Sequence, residues 1–137
     1  MMEENKSNSK KLNIVVWVLQ VILSLMFLMG GFMKLAMPIE ELAANMAWIN
    51  EVPAGLVRFI GLSEILGALG LVFPSLLRIQ PKLTVYAAIG LALIMIPAAN
   101  LHFSLHEYSE IIINVVVGSI VALIAWARHK RVVIEPR

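Results

Sequence analysis

Four apolar runs joined by short polar connections predict an all-α protein, a membrane four-helix bundle with a short extracytoplasmic amphipathic helix between spans one and two. Three observations carry this reading. The chain is 60% hydrophobic over 137 residues, with a mean hydropathy of +0.86, whereas soluble domains average about 45–50% apolar. The runs Ile14–Met33, Gly55–Phe73, Leu83–Ala99 and Ile111–Ala127 each approach the roughly 20 residues that cross a hydrocarbon core. Each run also sets a stripe of small or polar residues against a bulky aliphatic face, as helices packed in lipid do. Residues 14–128 are therefore one membrane unit with no room for a soluble catalytic domain. They lie between a basic tail, 1–13, expected to be disordered, and a basic tail, 129–137.

Span one follows Lys10 and Lys11 as a signal peptide would. It is longer than a signal h-region of about 7–15 residues and meets Lys34 with no A-x-A-type site, so a retained helix is expected. Asn13, Trp17, Gln20, Ser24, Phe27, Gly31 and Lys34 fall in one narrow sector at about 100° per residue. Between spans one and two, Pro38 and Pro53 bracket IEELAANMAWINEV. Ile39, Leu42, Met46 and Ile49 share a face there, and Glu40 and Glu41 suit a helix N-terminus. This predicts one short helix lying on the outer surface, with Trp48 at headgroup level.

Span two holds Glu64 near its middle, and a carboxylate at that depth marks either a packing device or a functional site. Gly61, Ser63, Glu64, Gly67, Ala68 and Gly70 form its small-or-polar half and are expected to face the bundle. Leu62, Ile65, Leu66, Leu69, Val72 and Phe73 form the lipid half, and Arg58 falls with them, placed to snorkel outward. Arg58 and Glu64, six residues apart, are not expected to pair. If Glu64 is neutral, Gln at position 64 is a near-isosteric replacement that keeps the fold.

Span three sets Ala88, Ala92 and Ala99 against Tyr86, Gly90, Pro97 and Asn100, with Pro97 expected to kink it near its outer end. Span four offers Asn114, Gly118, Val121 and Ala125. Trp17 and Trp126 suit an aromatic belt at the end that carries both termini. At about 1.5 Å per residue, Glu64 lies roughly 13 Å below the outer boundary, level with Ser24 and Gly118. Asn114 lies higher, and Lys34, Asn100 and His102 sit at the outer rim. These six candidates (Lys34, Glu64, Asn100, Asn114, Ser24 and His102) could line a pocket opening outward between spans one, two and four, or close on one another as a dry hydrogen-bonded core.

Charge sets the orientation. Lys6, Lys10, Lys11, Arg78, Lys82, Arg128, Lys130, Arg131 and Arg137 lie toward one side, leaving only Lys34 and Arg58 of the eleven basic residues toward the other. The positive-inside rule then puts both termini in the cytoplasm and predicts a multi-pass protein of the cell (inner) membrane. The chain's pI of 9.2 points to anionic headgroups rather than nucleic acid, because the charges flank membrane spans. Zero cysteines exclude disulfides, thiolate metal sites and dithiol redox chemistry by this chain. His102, His106 and Glu107 lack an evident third convergent ligand, so no metal is expected.

The order of these features resembles the DoxX-like family of small four-helix membrane proteins. The match rests on Gly31-Phe-Met-Lys34-Leu35 closing span one and Gly61-Leu-Ser-Glu64-Ile-Leu-Gly67-Ala-Leu-Gly70-Leu-Val-Phe-Pro74 in span two. An alanine-rich third span with Met95, Ala98 and His102, and a last helix ending in Arg128, complete it. The resemblance runs from about Ile14 to Arg128. It implies a four-helix bundle, with Lys34, Glu64 and His102 as the residues carried over. Some relatives are similar to subunits of quinone-linked oxidoreductases, and distant ones act in membrane-receptor assembly.

Three functions follow as expectations. The first is a non-enzymatic membrane protein whose outward pocket binds a lipid- or quinone-like molecule or a partner helix. The second is a membrane subunit of a quinone-linked oxidoreductase, and the third an assembly factor for other membrane proteins. Membrane lipids are the expected partners, with a homo-oligomer or larger membrane complex open.

Overall fold

The computed structural model describes residues 1–137. The chain is entirely helical apart from turns and its C-terminal segment, in the order α1 (Met2–Ala36), α2 (Ile39–Asn45), a 3-10 turn (Ala47–Glu51), α3 (Ala54–Leu77), α4 (Lys82–Ser104) and α5 (Tyr108–Trp126). A wider π-helical turn, Ala127–Arg131, extends α5. Four helices are long and apolar enough to cross a membrane. They pack in the series α1–α3–α4–α5, and α1 meets α5 less extensively.

The polar segment 1–13, expected to be disordered, instead continues α1. No Gly or Pro interrupts it, and Glu3 and Glu4 complement the positive end of the helix. A helix already nucleated in the membrane lengthens by one hydrogen bond per residue without a new nucleus. At 35 residues, α1 is about 52 Å long against a hydrocarbon core of about 30 Å. It stops at Met37, whose extended backbone is what the residue before a proline prefers.

The connection to α3 differs from the single surface helix expected. It breaks at Met46, whose backbone is extended, into α2 and the 3-10 turn. Leu42 and Ile49 turn into a small apolar cluster with Val57 of α3, packed round by Met33, Met37 and half-buried Trp48. Burying both apolar residues against the C-terminal end of α1 and the N-terminal end of α3 requires a path more curved than one helix allows. The segment is thus a cap on the bundle.

Glycines set how closely the spans approach. A Cβ on Gly31 would lie 2.6 Å from the Gly61 carbonyl oxygen, and one on Gly61 would lie 2.8 Å from the Gly31 oxygen. Farther along α3, Gly67 meets Leu91 and Gly70 meets Ala87. One flank of α3 therefore serves α1 and the other α4. The main core holds Val16, Leu23 and Phe27 from α1, Ala68 and Leu71 from α3, Ala88, Leu91 and Met95 from α4, and Val117, Val121 and Ile124 from α5. Leu62, Leu66, Leu69 and Phe73 are exposed to what would be lipid, as the sequence pattern predicts. The connection after span three is shorter than expected, since α4 runs through Pro97 to Ser104 and carries Asn100 and His102 in its last turns.

At the other end, α3 terminates at Arg78 in the left-handed region (φ 57°). Arg78 Nε donates to the Glu135 carbonyl at 2.8 Å, and the Arg137 amide donates back to the Arg78 carbonyl at 3.0 Å. The C-terminal segment is thereby strapped across the α3–α4 turn.

The glycine contacts give a direct test. Gly31→Ala should lower the melting temperature, because the obstacle is backbone that cannot move without parting α1 from α3. Gly90 has open space around its Cβ position, so Gly90→Ala should be neutral or stabilising by about 0.5–1 kcal/mol. Equal effects of the two in a thermal unfolding assay would contradict this packing.

Candidate functional site

The antiparallel seam between α1 and α3 is a ladder of polar contacts. Where the stripe of α1 meets the small face of α3, each polar side chain finds a partner across the interface, as hydrocarbon surroundings require. Ser24 Oγ donates to the Ala68 carbonyl at 2.8 Å. Gln20 Nε2 donates to the Leu71 carbonyl. Nearer the outer end, Lys34 Nζ donates to both carboxylate oxygens of Glu64, at 2.8 and 3.1 Å.

The Lys34–Glu64 pair is buried, with Lys34 9% and Glu64 7% exposed. Two lone charges could not persist in this setting, but a bidentate ion pair can, because each neutralises the other at contact distance. The long side chain of Lys34 spans the gap between the outer end of α1 and mid-depth. Arg58 holds the backbone beneath it: its Nη1 donates to the Lys34 carbonyl at 2.5 Å and to the Met37 carbonyl at 2.8 Å. Two of the orphan carbonyls at the end of α1 are satisfied in this way. Arg58 therefore does not snorkel among lipids as expected; it is a half-buried clamp between α1 and α3. It makes no ion pair with Glu64.

The six candidates from the sequence separate. Lys34 and Glu64 come together, and Ser24 lies deeper on the same seam. Asn100 is exposed on α4. His102 Nδ1 lies 2.7 Å from Glu107 Oε2, a contact that closes the α4–α5 connection, where His106 takes a left-handed conformation (φ 60°). No group of three His, Asp or Glu side chains converges on a metal-sized site. Asn114 sits in the outer part of α5, and its Nδ2 is buried without a hydrogen-bond partner. Of the pocket expected to open outward between spans one, two and four, the side between spans one and two is closed by the Gly31–Gly61 contact. An apolar hollow of 310 Å³ does occur on α3, but near its other end, lined by Leu69, Gly70, Phe73, Pro74, Leu77 and Ile79.

One flank of the ion pair stays uncovered. Gly30 is half-buried, and a Cβ there would lie 3.5 Å from Lys34 Nζ and 3.7 Å from Glu64 Oε2. The missing side chain leaves no α1 atom beyond the backbone over this flank of the pair, whose side chains are 11% and 10% exposed. An ammonium has three donors; two of them are turned to Glu64, and the third is not taken up by the carboxylate.

A further polar centre is absent from the candidates drawn from sequence. Arg128, 3% exposed, donates from Nε to Gln20 Oε1 at 2.6 Å, and from Nη1 to Asn13 Oδ1 at 2.7 Å and the Val132 carbonyl at 3.1 Å. Its guanidinium lies 4.9 Å from the centre of the Trp17 ring. The signal was present in the α1 stripe: Asn13, Trp17 and Gln20 together make a surface that accepts hydrogen bonds and cations.

The profile of the DoxX-like family matches residues 18–124. No curated protein and no solved structure matches the chain.

The ion pair reverses the expectation for position 64. Glu64→Gln keeps the shape but leaves Lys34 an uncompensated buried charge, and should cost about 3–5 kcal/mol. The double variant Lys34→Met/Glu64→Leu, which removes both charges, should recover much of that loss. Unfolding in a detergent titration checks both; a Gln variant as stable as wild type would show that the pair does not form in the membrane.

Proposed function

The chain belongs to the DoxX-like family, and from that premise we propose a non-catalytic membrane protein that binds a small amphipathic molecule of the lipid or quinone class at the Gly30 flank of the Lys34–Glu64 pair. The uncovered flank is the observation that carries this reading. The surrounding surface is bulky and aliphatic, with Met26, Met29 and Phe32 exposed on α1, and so suits an acyl or isoprenoid tail. A polar head meets the Lys34 ammonium, whose charge is already neutralised, so an uncharged carbonyl head fits better than an anion. Asn114, with its unpartnered Nδ2, is a second donor in the outer part of the bundle.

The orientation belongs to the same proposal. The basic asymmetry favours both termini in the cytoplasm of a cell with the protein in its inner membrane, which puts the pair in the outer leaflet. Single cysteines introduced at Asn5, Asn45, Gln80 and His106 should label as two sets, Asn5 with Gln80 and Asn45 with His106. Labelling of Asn45 and Gln80 from one side would sink the topology.

Native mass spectrometry of the detergent-extracted protein, with identification of what dissociates, tests the binding site. Wild type should carry a lipid or quinone that Gly30→Ala loses or binds more weakly at nearly unchanged melting temperature, since the alanine Cβ covers the flank at ordinary van der Waals distance from the pair. Equal retention by both proteins would remove the site from Gly30. A bound quinone would direct the reading toward a subunit of a quinone-linked oxidoreductase. A stoichiometric membrane protein would direct it toward an assembly factor.

A further inference from the structure

At the opposite end of the bundle Arg128 presents an unbalanced charge. It is 97% buried by its 3% exposure, yet no carboxylate lies within 4 Å; the ion pairs in the chain are Lys34–Glu64 and His102–Glu107. Its protein partners are all neutral: the side-chain oxygens of Asn13 and Gln20 and the Val132 carbonyl. The Trp17 face adds a cation–π attraction, and the C-terminus of α5 adds the negative end of a helix dipole, equivalent to about half a charge. Neither reaches Nη2, which is buried with no hydrogen-bond partner at all. A guanidinium that is desolvated and not paired is costly, and Arg cannot shed its proton to escape as Lys can.

We propose that Arg128 is an anion-binding residue, whose Nη2 takes an oxygen of a phosphate-type oxyanion at the end of the bundle that carries both termini. The rest of the site is already set. Gln20 is fixed by its bond to the Leu71 carbonyl, and it fixes Nε. Asn13 and Val132 fix Nη1, and Trp17 fixes the plane of the fork. The guanidinium is therefore held in one orientation with one edge unsatisfied, which suits a tetrahedral oxyanion. Helical structure ends beside the site at Val132, and the Val133–Arg137 segment beyond it is tied to Arg78 only through Glu135 and Arg137, so a ligand reaches Nη2 when this non-helical segment shifts. The same chemistry occurs in a phospholipid headgroup and in free phosphate. This site is independent of the Gly30 flank, since the two lie at opposite ends of the α1–α3 seam.

The test uses the full chain, and the melting temperature is read in two settings. In neutral detergent the protein is titrated with inorganic phosphate against chloride at equal ionic strength. In nanodiscs, phosphatidylglycerol is compared with phosphatidylcholine. Wild type should gain melting temperature in at least one arm, because a ligand bound only to the folded state stabilises it. A gain with phosphate assigns a soluble anion, and a gain with phosphatidylglycerol alone assigns a headgroup. Asn13→Asp builds a carboxylate beside Nη1 and should abolish the gain while maintaining or raising the basal melting temperature, an outcome that a merely structural arginine would not give. Arg131→Gln, which removes an exposed cation, should keep the gain. Arg128→Lys, which keeps the charge and loses the fork, should lose it. No gain in wild type, or a gain unchanged in Asn13→Asp and Arg128→Lys, overturns the proposal.

Discussion

The α1–α3 contact carries the rest of the structure, and it exists because two backbones come close enough for short side chains to reach carbonyls. Gly31 and Gly61 allow that approach. Ser24 and Gln20 then bond directly to α3 backbone, although helix carbonyls are normally occupied by their own i+4 amides; each has a second lone pair to give. In lipid there is no hydrophobic drive to bring helices together, so close packing and such bonds supply the association. The ion pair at one end and Arg128 at the other terminate this seam. Both are buried charged groups, and only the first is neutralised within the chain.

The two ends solve that problem differently. Lys34 and Glu64 cancel within the chain, and the remaining donor of Lys34 is mild. Arg128 is surrounded by good acceptors, but none of them carries charge. One end thus presents a neutral polar spot beside aliphatic surface, and the other a fixed cation in a polar cradle. These two surfaces are the basis for the amphipathic carbonyl ligand and the oxyanion proposed above. A single bundle of 137 residues thus carries two chemically different polar centres at its opposite ends.

Much of the architecture was legible in the chain. The α1 stripe from Asn13 to Lys34 was found by angle alone, because a helix that buries one face must repeat near 3.6 residues; Gln20, Ser24, Phe27, Gly31 and Lys34 are the buried positions it names. The lipid face of α3 was equally plain. Arg58 was misplaced because an angular reading asks which side chains face it, whereas its partners are carbonyls exposed where α1 ends. Arg128 was counted only as one more basic residue near a terminus, and its partners lie 108 and 115 residues away in sequence, a separation that no local pattern encodes. The ion pair was half visible: both residues were marked, but only three-dimensional register brings a rim lysine down to a mid-depth carboxylate.

The unbroken run of α1 past the bundle has an electrostatic consequence. From Asn13 back to Met2, a straight helix places its start about 17 Å farther from the membrane, whereas charges in physiological salt are felt over about 8 Å. Lys10 and Lys11 stay within that range of Asn13, whereas Lys6, at about 10 Å, and Glu3 and Glu4 lie beyond it. A floppy tail would let the acidic pair fold back and offset the lysines. A stiff arm instead works as a spacer, keeping the Lys10–Lys11 pair near the bundle and the acidic pair farther out.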